Sequence, residues 1–171
     1  MVTLHLSYTS KINPSGASPV LTEAQIWAGL QRKIRFAQEF VPVIESCDVL
    51  EEKDGVVTRE VKFKEGAGPK PRAREVVRGF WPSWVDFEQE DGSHIRNIVS
   101  DGPSGNTDDL HMTYTFEVPR PDLAEGSSEA EQELKKLKGV SKEDLRWMSK
   151  MAVEKTIETI RNMVKDGRIK E

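Results

Sequence analysis

Three polar side chains stand where the hydropathy pattern calls for apolar ones, and they carry most of the chemical potential of this chain. Arg59 lies between Val57 and Val61, Asn97 between Ile95 and Val99, and Tyr114 in the row Leu110, Met112, Phe116. Side chains alternate faces along a strand, so each polar group is carried inward with its apolar neighbours. Once buried, it needs a hydrogen-bonding partner. Two kinds of partner fit. Arg59 can pair with a strand carboxylate such as Glu75, which is a structural role. Alternatively, Arg59, Asn97 and Tyr114 converge on the carboxylate, phenol or carbonyl oxygen of a small molecule held between apolar walls. On that second reading the ligand-binding residues also include Val61, Phe87, Met112 and Phe116 from strands, and Met148, Ala152 and Thr156 from a helix.

Other chemistries find little support. The histidines are His5, His94 and His111, with no pair four apart, and no Cys-x-x-Cys occurs, so no metal site is expected. There is no Gly-x-Ser-x-Gly elbow. Gly66-Ala67-Gly68 lacks a third glycine and precedes a strand, so it reads as a plain loop and not as a dinucleotide cradle. No cofactor is expected. Asp101, Asn106, Asp108 and Asp109 read as a solvated turn in preference to a calcium site. The basic run Lys62, Lys64, Lys70, Arg72, Arg74 and Arg78 has no interleaved aromatics, and net charge is −4, so nucleic acid is not an expected partner. A single cysteine, Cys47, rules out an intrachain disulfide and reads as a small, half-buried strand residue. No run approaches the ~18 apolar residues of a membrane span, and the N-terminus lacks a secretory pattern, so a cytoplasmic location is expected.

The elements that position these residues follow from periodicity. Val2, Leu4, Leu6 and Tyr8 alternate with polar residues as in a half-buried strand. Thr22 and Gln25 form a capping box, with Leu21 and Ile26 as a hydrophobic staple. The helix they open carries Ile26, Trp27, Leu30 and Ile34, extends toward Phe40 and ends before Pro42, with a possible break at Arg35-Phe36-Ala37. Strand patterns follow over 43–52, 56–64, 74–81, 84–89, 94–100 and 109–118. A three-residue turn at Glu90-Asp91-Gly92 sets Phe87 opposite Ile95 and Val85 opposite Asn97. A two-residue turn would bring Asp86 and Glu88 inward, at a cost in desolvation. The register of the 74–81 strand stays open. Ser128-Glu129-Ala130-Glu131 looks like another capping box, opening a short exposed helix or a mobile loop that runs to Lys138.

The last helix runs from Ser141 to about Lys165. Ser141 caps it, Asp144 takes the reciprocal position, Val140 staples onto Leu145, and Gly167 supplies a left-handed C-terminal cap. Leu145, Met148, Ala152, Val153, Thr156, Ile157, Ile160, Met163 and Val164 form one apolar face, roughly 35–40 Å long. Met148, Ala152, Thr156 and Met163 are small or flexible where a dense core favours Leu and Ile, which suits a pocket lid better than a plug. There are no repeats or shifts in composition, so residues 1–171 are expected to form one α+β domain.

That order of elements is similar to the helix-grip fold of the START-type, birch-pollen-allergen-like superfamily, and within it the chain resembles the AtaL-like family. The resemblance is carried by Phe40-Val41-Pro42-Val43-Ile44-Glu45-Ser46-Cys47, Arg59-Glu60-Val61, Arg74-Glu75-Val76-Val77, Asn97-Ile98-Val99-Ser100-Asp101-Gly102-Pro103, Met112-Thr113-Tyr114-Thr115-Phe116-Glu117 and Ala152-Val153-Glu154-Lys155-Thr156-Ile157. It implies a curved antiparallel sheet of about seven strands around a long C-terminal helix, with one or two short helices after the first strand. The superfamily includes carriers of lipids, sterols and plant hormones as well as polyketide cyclases and aromatases. The expectation is therefore a binding protein for a hydrophobic or aromatic small molecule linked to secondary metabolism, with a cyclase/aromatase-like enzyme as the alternative. No catalytic residue is assigned and the oligomeric state is left open. The absence of an inward histidine and of a clustered acid–base pair favours binding.

Overall fold

The computed structural model describes residues 1–67, 70–137 and 145–170. Strand β1 (Val2–Lys11) is followed by helix α1 (Glu23–Arg35) and a short 3-10 turn, Ala37–Glu39. Six strands come next: β2 (Ile44–Lys53), β3 (Val56–Phe63), β4 (Arg72–Phe80), β5 (Trp84–Gln89), β6 (His94–Asp101) and β7 (Leu110–Arg120). Helices α2 (Ser128–Lys136) and α3 (Leu145–Lys165) complete the chain. All seven strands join one curved antiparallel sheet in the order β1-β7-β6-β5-β4-β3-β2. Among the described residues, no helix is long and apolar enough to cross a membrane.

The expected register holds at the central hairpin. Phe87 faces Ile95 and Val85 faces Asn97. Gln89 N–H donates to the Ser93 carbonyl across a three-residue turn, and Gly92 sits there at φ +83°. The β4 register, open from sequence, places Glu75 opposite both Arg59 and Gln89, and Val77 opposite both Val57 and Phe87. Every inward side chain of β3 to β7 thus belongs to one continuous face. Val57, Val77, Val85, Phe87, Val99, Leu110 and Met112 meet Val153, Ile157, Ile160 and Met163 of α3 and Ile26, Leu30 and Ile34 of α1 in a single core.

The Thr22–Gln25 capping box is present, and α1 stops at the anticipated break, where Phe36 leaves helical geometry. At α2 the cap falls one residue earlier than expected: Ser127, not Ser128, accepts from the Ala130 N–H. Both serines can cap, and the choice follows from which one has the extended backbone of an N-cap. The N-terminal signals of α3 at Val140, Ser141 and Asp144 lie outside the described residues, as do Gly68 and Lys138. At its other end Gly167 turns left-handed at φ +81°, and Ile169 N–H returns to the Met163 carbonyl. Asn13 fixes the segment after β1 by bonding both the N–H and the carbonyl of Leu21 at 2.9 Å. Arg161 of α3 donates to the carbonyls of Ile12 and Pro19 in the same region.

Helices α1 and α3 touch where α1 carries Gly29. A Cβ at that position would fall inside the Ile160 side chain, 2.7 Å from its Cδ1. Gly29→Ala is expected to lower unfolding stability by about 1–2 kcal/mol, the overpacking cost less the helix gain of alanine. Ile160→Val in the same chain should recover part of that loss, as read by urea denaturation.

Candidate functional site

The centre of the site is a residue that the sequence reading passed over. Lys33 falls seven residues after Ile26 and three after Leu30, on the apolar stripe of α1, and only 6% of it is exposed. Its Nζ donates to Asn97 Oδ1 on β6 at 2.9 Å and to the Tyr114 hydroxyl on β7 at 2.7 Å. Tyr114 in turn donates to Thr156 Oγ1 on α3 at 2.6 Å. One chain of hydrogen bonds therefore crosses from α1 over the sheet to α3. Asn97 and Tyr114 face each other in the β6–β7 register, which sets both beside the same ammonium group.

Arg59 takes a neighbouring, separate position. The last turn of α1 carries the buried residues Lys33 and Ile34, and the last carbonyls of a helix have no partners of their own. Arg59 Nη1 supplies them, donating to the carbonyls of Lys33 at 2.8 Å and Ile34 at 2.7 Å. Its Nε and Nη2 bind Glu75 Oε2 at 2.7 and 2.5 Å, and Gln89 Nε2 donates to the other Glu75 oxygen at 2.8 Å. The guanidinium also lies 4.9 Å from the centre of the Phe87 ring. Of the two partners open to Arg59 from sequence, the structure shows the carboxylate, and adds a helix end.

The electrostatics differ between the two cations. Arg59 has Glu75, whereas Lys33 has only neutral acceptors among the described residues. Burial lowers the Lys33 ammonium to a pKa of about 7, the Arg59 charge adds to that, and Glu75 opposes it. The Tyr114 hydroxyl is pushed up by burial, with its bond to Thr156 opposing. Asn97 is fully buried, and its Nδ2 has no hydrogen-bond partner among the described residues. The Lys33 bond determines the orientation of the carboxamide, since a flipped amide would turn N–H groups toward the ammonium.

The remaining expected site residues divide. Phe87 and Met112 are buried in the core around the polar chain, and the Phe116 ring lies 6.2 Å from that of Tyr114. Ala152, one turn before Thr156 on α3, is half-buried. Val61 packs with Ala37 and Ile44 in a second, smaller cluster. Met148 is 49% exposed and does not belong to the buried stripe of α3, which runs Ser149, Val153, Thr156, Ile157, Ile160, Met163. The reason is local. Ser149 satisfies its hydroxyl on the Leu145 carbonyl at 2.8 Å, so it tolerates burial and the more hydrophobic Met148 turns outward.

Layers are apparent along the sheet. Val99 and Met112 form a dry inner pair, Asn97 and Tyr114 the polar pair beside it, and Ile95 and Phe116 a half-buried apolar pair one step further out. A surface cleft of about 330 Å³ lies over His5, Ser7, Arg96, Thr115 and Glu117, on the face of the sheet opposite Asn97 and Tyr114. A larger cleft of about 550 Å³ lies between the β1 edge, α2 and the start of α3, with Leu6, Leu134, Leu137 and Arg146 in its walls. Lys33 lines neither cleft. Among the described residues, no cluster of three or more His, Cys, Asp or Glu is placed to hold a metal ion.

A seven-stranded antiparallel sheet packed on a long C-terminal helix, with polar groups aimed between them, defines a helix-grip fold. The chain belongs to the AtaL family: the family described as acetylaranotin biosynthesis cluster protein L matches residues 6–167. No curated protein matches by sequence. Among solved structures, the chain is similar to Ara h 8.0201, with 10% identity, a TM-score of 0.54, and 96% of this chain and 99% of the other covered. It is also similar to the di-domain ARO/CYC StfQ from the steffimycin biosynthetic pathway, at 11% identity and a TM-score of 0.62, covering 96% of this chain and 52% of that one. The di-domain ARO/CYC BexL gives 12% identity and a TM-score of 0.60, covering 94% and 49%. The chain spans about half the length of the two di-domain proteins, and at these identities the likeness is one of fold.

Two stability measurements probe the cluster. Glu75→Gln leaves Arg59 charged and buried without its carboxylate, so unfolding stability should fall by roughly 3–5 kcal/mol. Arg59→Met with Glu75→Leu should recover only part of this, because the Lys33 and Ile34 carbonyls lose their donor. The second concerns pH. Lys33 has a folded pKa of about 7, below its unfolded value of 10.5. The unfolded chain therefore binds more protons between those values, and stability should rise with pH across that window. Above pH ~10 the raised Tyr114 pKa opposes it, since the unfolded tyrosine ionises first. Melting temperature from pH 6.5 to 9.5 should climb relative to that of Lys33→Met, and the difference should flatten below pH 7.

Proposed function

We propose that this protein binds a hydrophobic or aromatic small molecule between its sheet and α3, in a role tied to secondary metabolism. The observation that carries this is Asn97. A fully buried amide N–H group without a partner is a standing cost of about 1–3 kcal/mol, and a ligand acceptor would remove it. The half-buried apolar pair Ile95 and Phe116 lies beside it, one step along the same face of the sheet. Apolar walls with a few convergent polar groups are the usual composition of a small-molecule site. The family name and the biosynthetic pathways of StfQ-like proteins support the link to secondary metabolism.

One observation favours the second reading, a cyclase- or aromatase-like enzyme. Lys33 and Tyr114 share a hydrogen bond, and a lysine that titrates near neutrality can give and take a proton. Tyr114→Phe separates the two readings: a carrier keeps its ligand with modestly reduced affinity, whereas an enzyme loses turnover while still binding. The binding reading itself is tested by native mass spectrometry of freshly expressed protein and a thermal-shift screen of aromatic compounds. The expected outcome is a co-purifying or stabilising small molecule, and a screen without a single stabilising compound would reject the pocket.

A further inference from the structure

We propose that the site selects ligands through one acidic oxygen, a phenol or an enol, and holds it as the anion between Lys33 and the Asn97 amide. This rests on the binding reading above and deepens it by naming the ligand class. The geometry supplies the donors. An ammonium group has three N–H bonds, and Lys33 uses two of them, on Asn97 Oδ1 and Tyr114. The unpartnered Nδ2 belongs to the same carboxamide whose oxygen lies 2.9 Å from Lys33 Nζ. Two donor groups thus belong to hydrogen-bonded neighbours, and neither has a further oxygen acceptor among the described residues, the Tyr114 ring centre lying 4.5 Å from Nζ.

The charges around the pair point the same way. Of the groups facing Lys33, Arg59 on β3 and Glu75 on β4 are bound to each other. Asn97 on β6, Tyr114 on β7 and Thr156 on α3 are neutral, and β5 presents the Phe87 ring 5.7 Å from Nζ. Lys33 is the buried cation without its own carboxylate, so an anionic oxygen completes it as Glu75 completes Arg59. A single oxygen suits the site better than a carboxylate. One oxygen can accept from both donors, and a phenol or enol enters the buried site neutral, whereas a carboxylate must give up the hydration of a full charge on the way in. When the ligand arrives as a neutral phenol and Lys33 as the free amine, the O–H proton passes to Nζ, giving phenolate and ammonium. The aromatic body then occupies the layer of Ile95, Phe116 and Ala152.

Binding of 1-naphthol, 1-naphthoate and naphthalene by calorimetry, with absorption spectra of the bound naphthol at a pH where it is neutral in water, tests this. The wild type is expected to bind naphthol at least about tenfold more tightly than naphthalene or naphthoate, the gain of one charge-assisted hydrogen bond. The bound spectrum should be that of the naphtholate. Lys33→Met should abolish both the preference and the anion spectrum. Asn97→Asp keeps the side-chain shape while giving Lys33 its own carboxylate, and should do the same in a chain whose fold is preserved. Equal affinity for naphthol and naphthalene, a neutral bound spectrum, or equal binding of naphthoate would overturn the acidic-oxygen assignment while leaving the apolar pocket standing. Failure of all three probes to bind would overturn both.

Discussion

The burial of the C-terminal end of α1 is the constraint from which much of this structure follows. A helix that ends in solvent has its last carbonyls satisfied by water, but the last turn of this one carries the buried residues Lys33 and Ile34. Arg59 resolves the problem by reaching two of those carbonyls from β3, which brings a guanidinium into the interior and so requires Glu75, itself steadied by Gln89. The pairing ties α1, β3, β4 and β5 together through polar contacts of fixed direction. Lys33, one turn inside the helix end, is oriented by the same anchoring, which accounts for a lysine pointing into the core toward β6 and β7.

Much of this was legible in the sequence, and what was not had a physical cause. Alternation marked the inward faces of β3, β6 and β7, so Arg59, Asn97 and Tyr114 stood out as polar intruders. Turn chemistry at Glu90-Asp91-Gly92 was enough to set Phe87 against Ile95. Lys33 was passed over because a long cationic side chain on an amphipathic helix normally reaches solvent from the edge of the apolar stripe. Its position directly below Leu30 carried the signal, and only the partners waiting on β6 and β7 gave it meaning. Met148 failed in the opposite way. Its hydrophobicity argued for the interior, but the stripe of α3 is narrower than its supply of apolar residues, and Ser149 can be buried without loss because its own helix accepts its proton.

The two buried cations illustrate how similar residues acquire different uses. Arg59 is saturated: helix carbonyls, a carboxylate and an aromatic face enclose it. Such a group makes its neighbourhood rigid and leaves nothing to offer a visitor. Lys33 is held by two neutral oxygens and the faces of the Tyr114 and Phe87 rings, in a layer between a dry interior and a half-buried apolar rim. Two adjacent charges of one sign cannot both be fully compensated by a single Glu75, and the compensation goes to the one whose planar fork matches a carboxylate. The lysine is left as the less compensated member of the pair.

The close fit of Gly29 against Ile160 has a mechanical side. Together with the Arg161 bonds to the chain after β1 and the return of Ile169 to Met163, it fastens α3 near its C-terminal end. The opposite half of the helix itself carries smaller side chains, Ser149 and Ala152. α3 is in effect a beam welded at Ile160. A body wedged beneath Ala152 has leverage on that beam, whereas the same body near Ile160 would have to strain the weld.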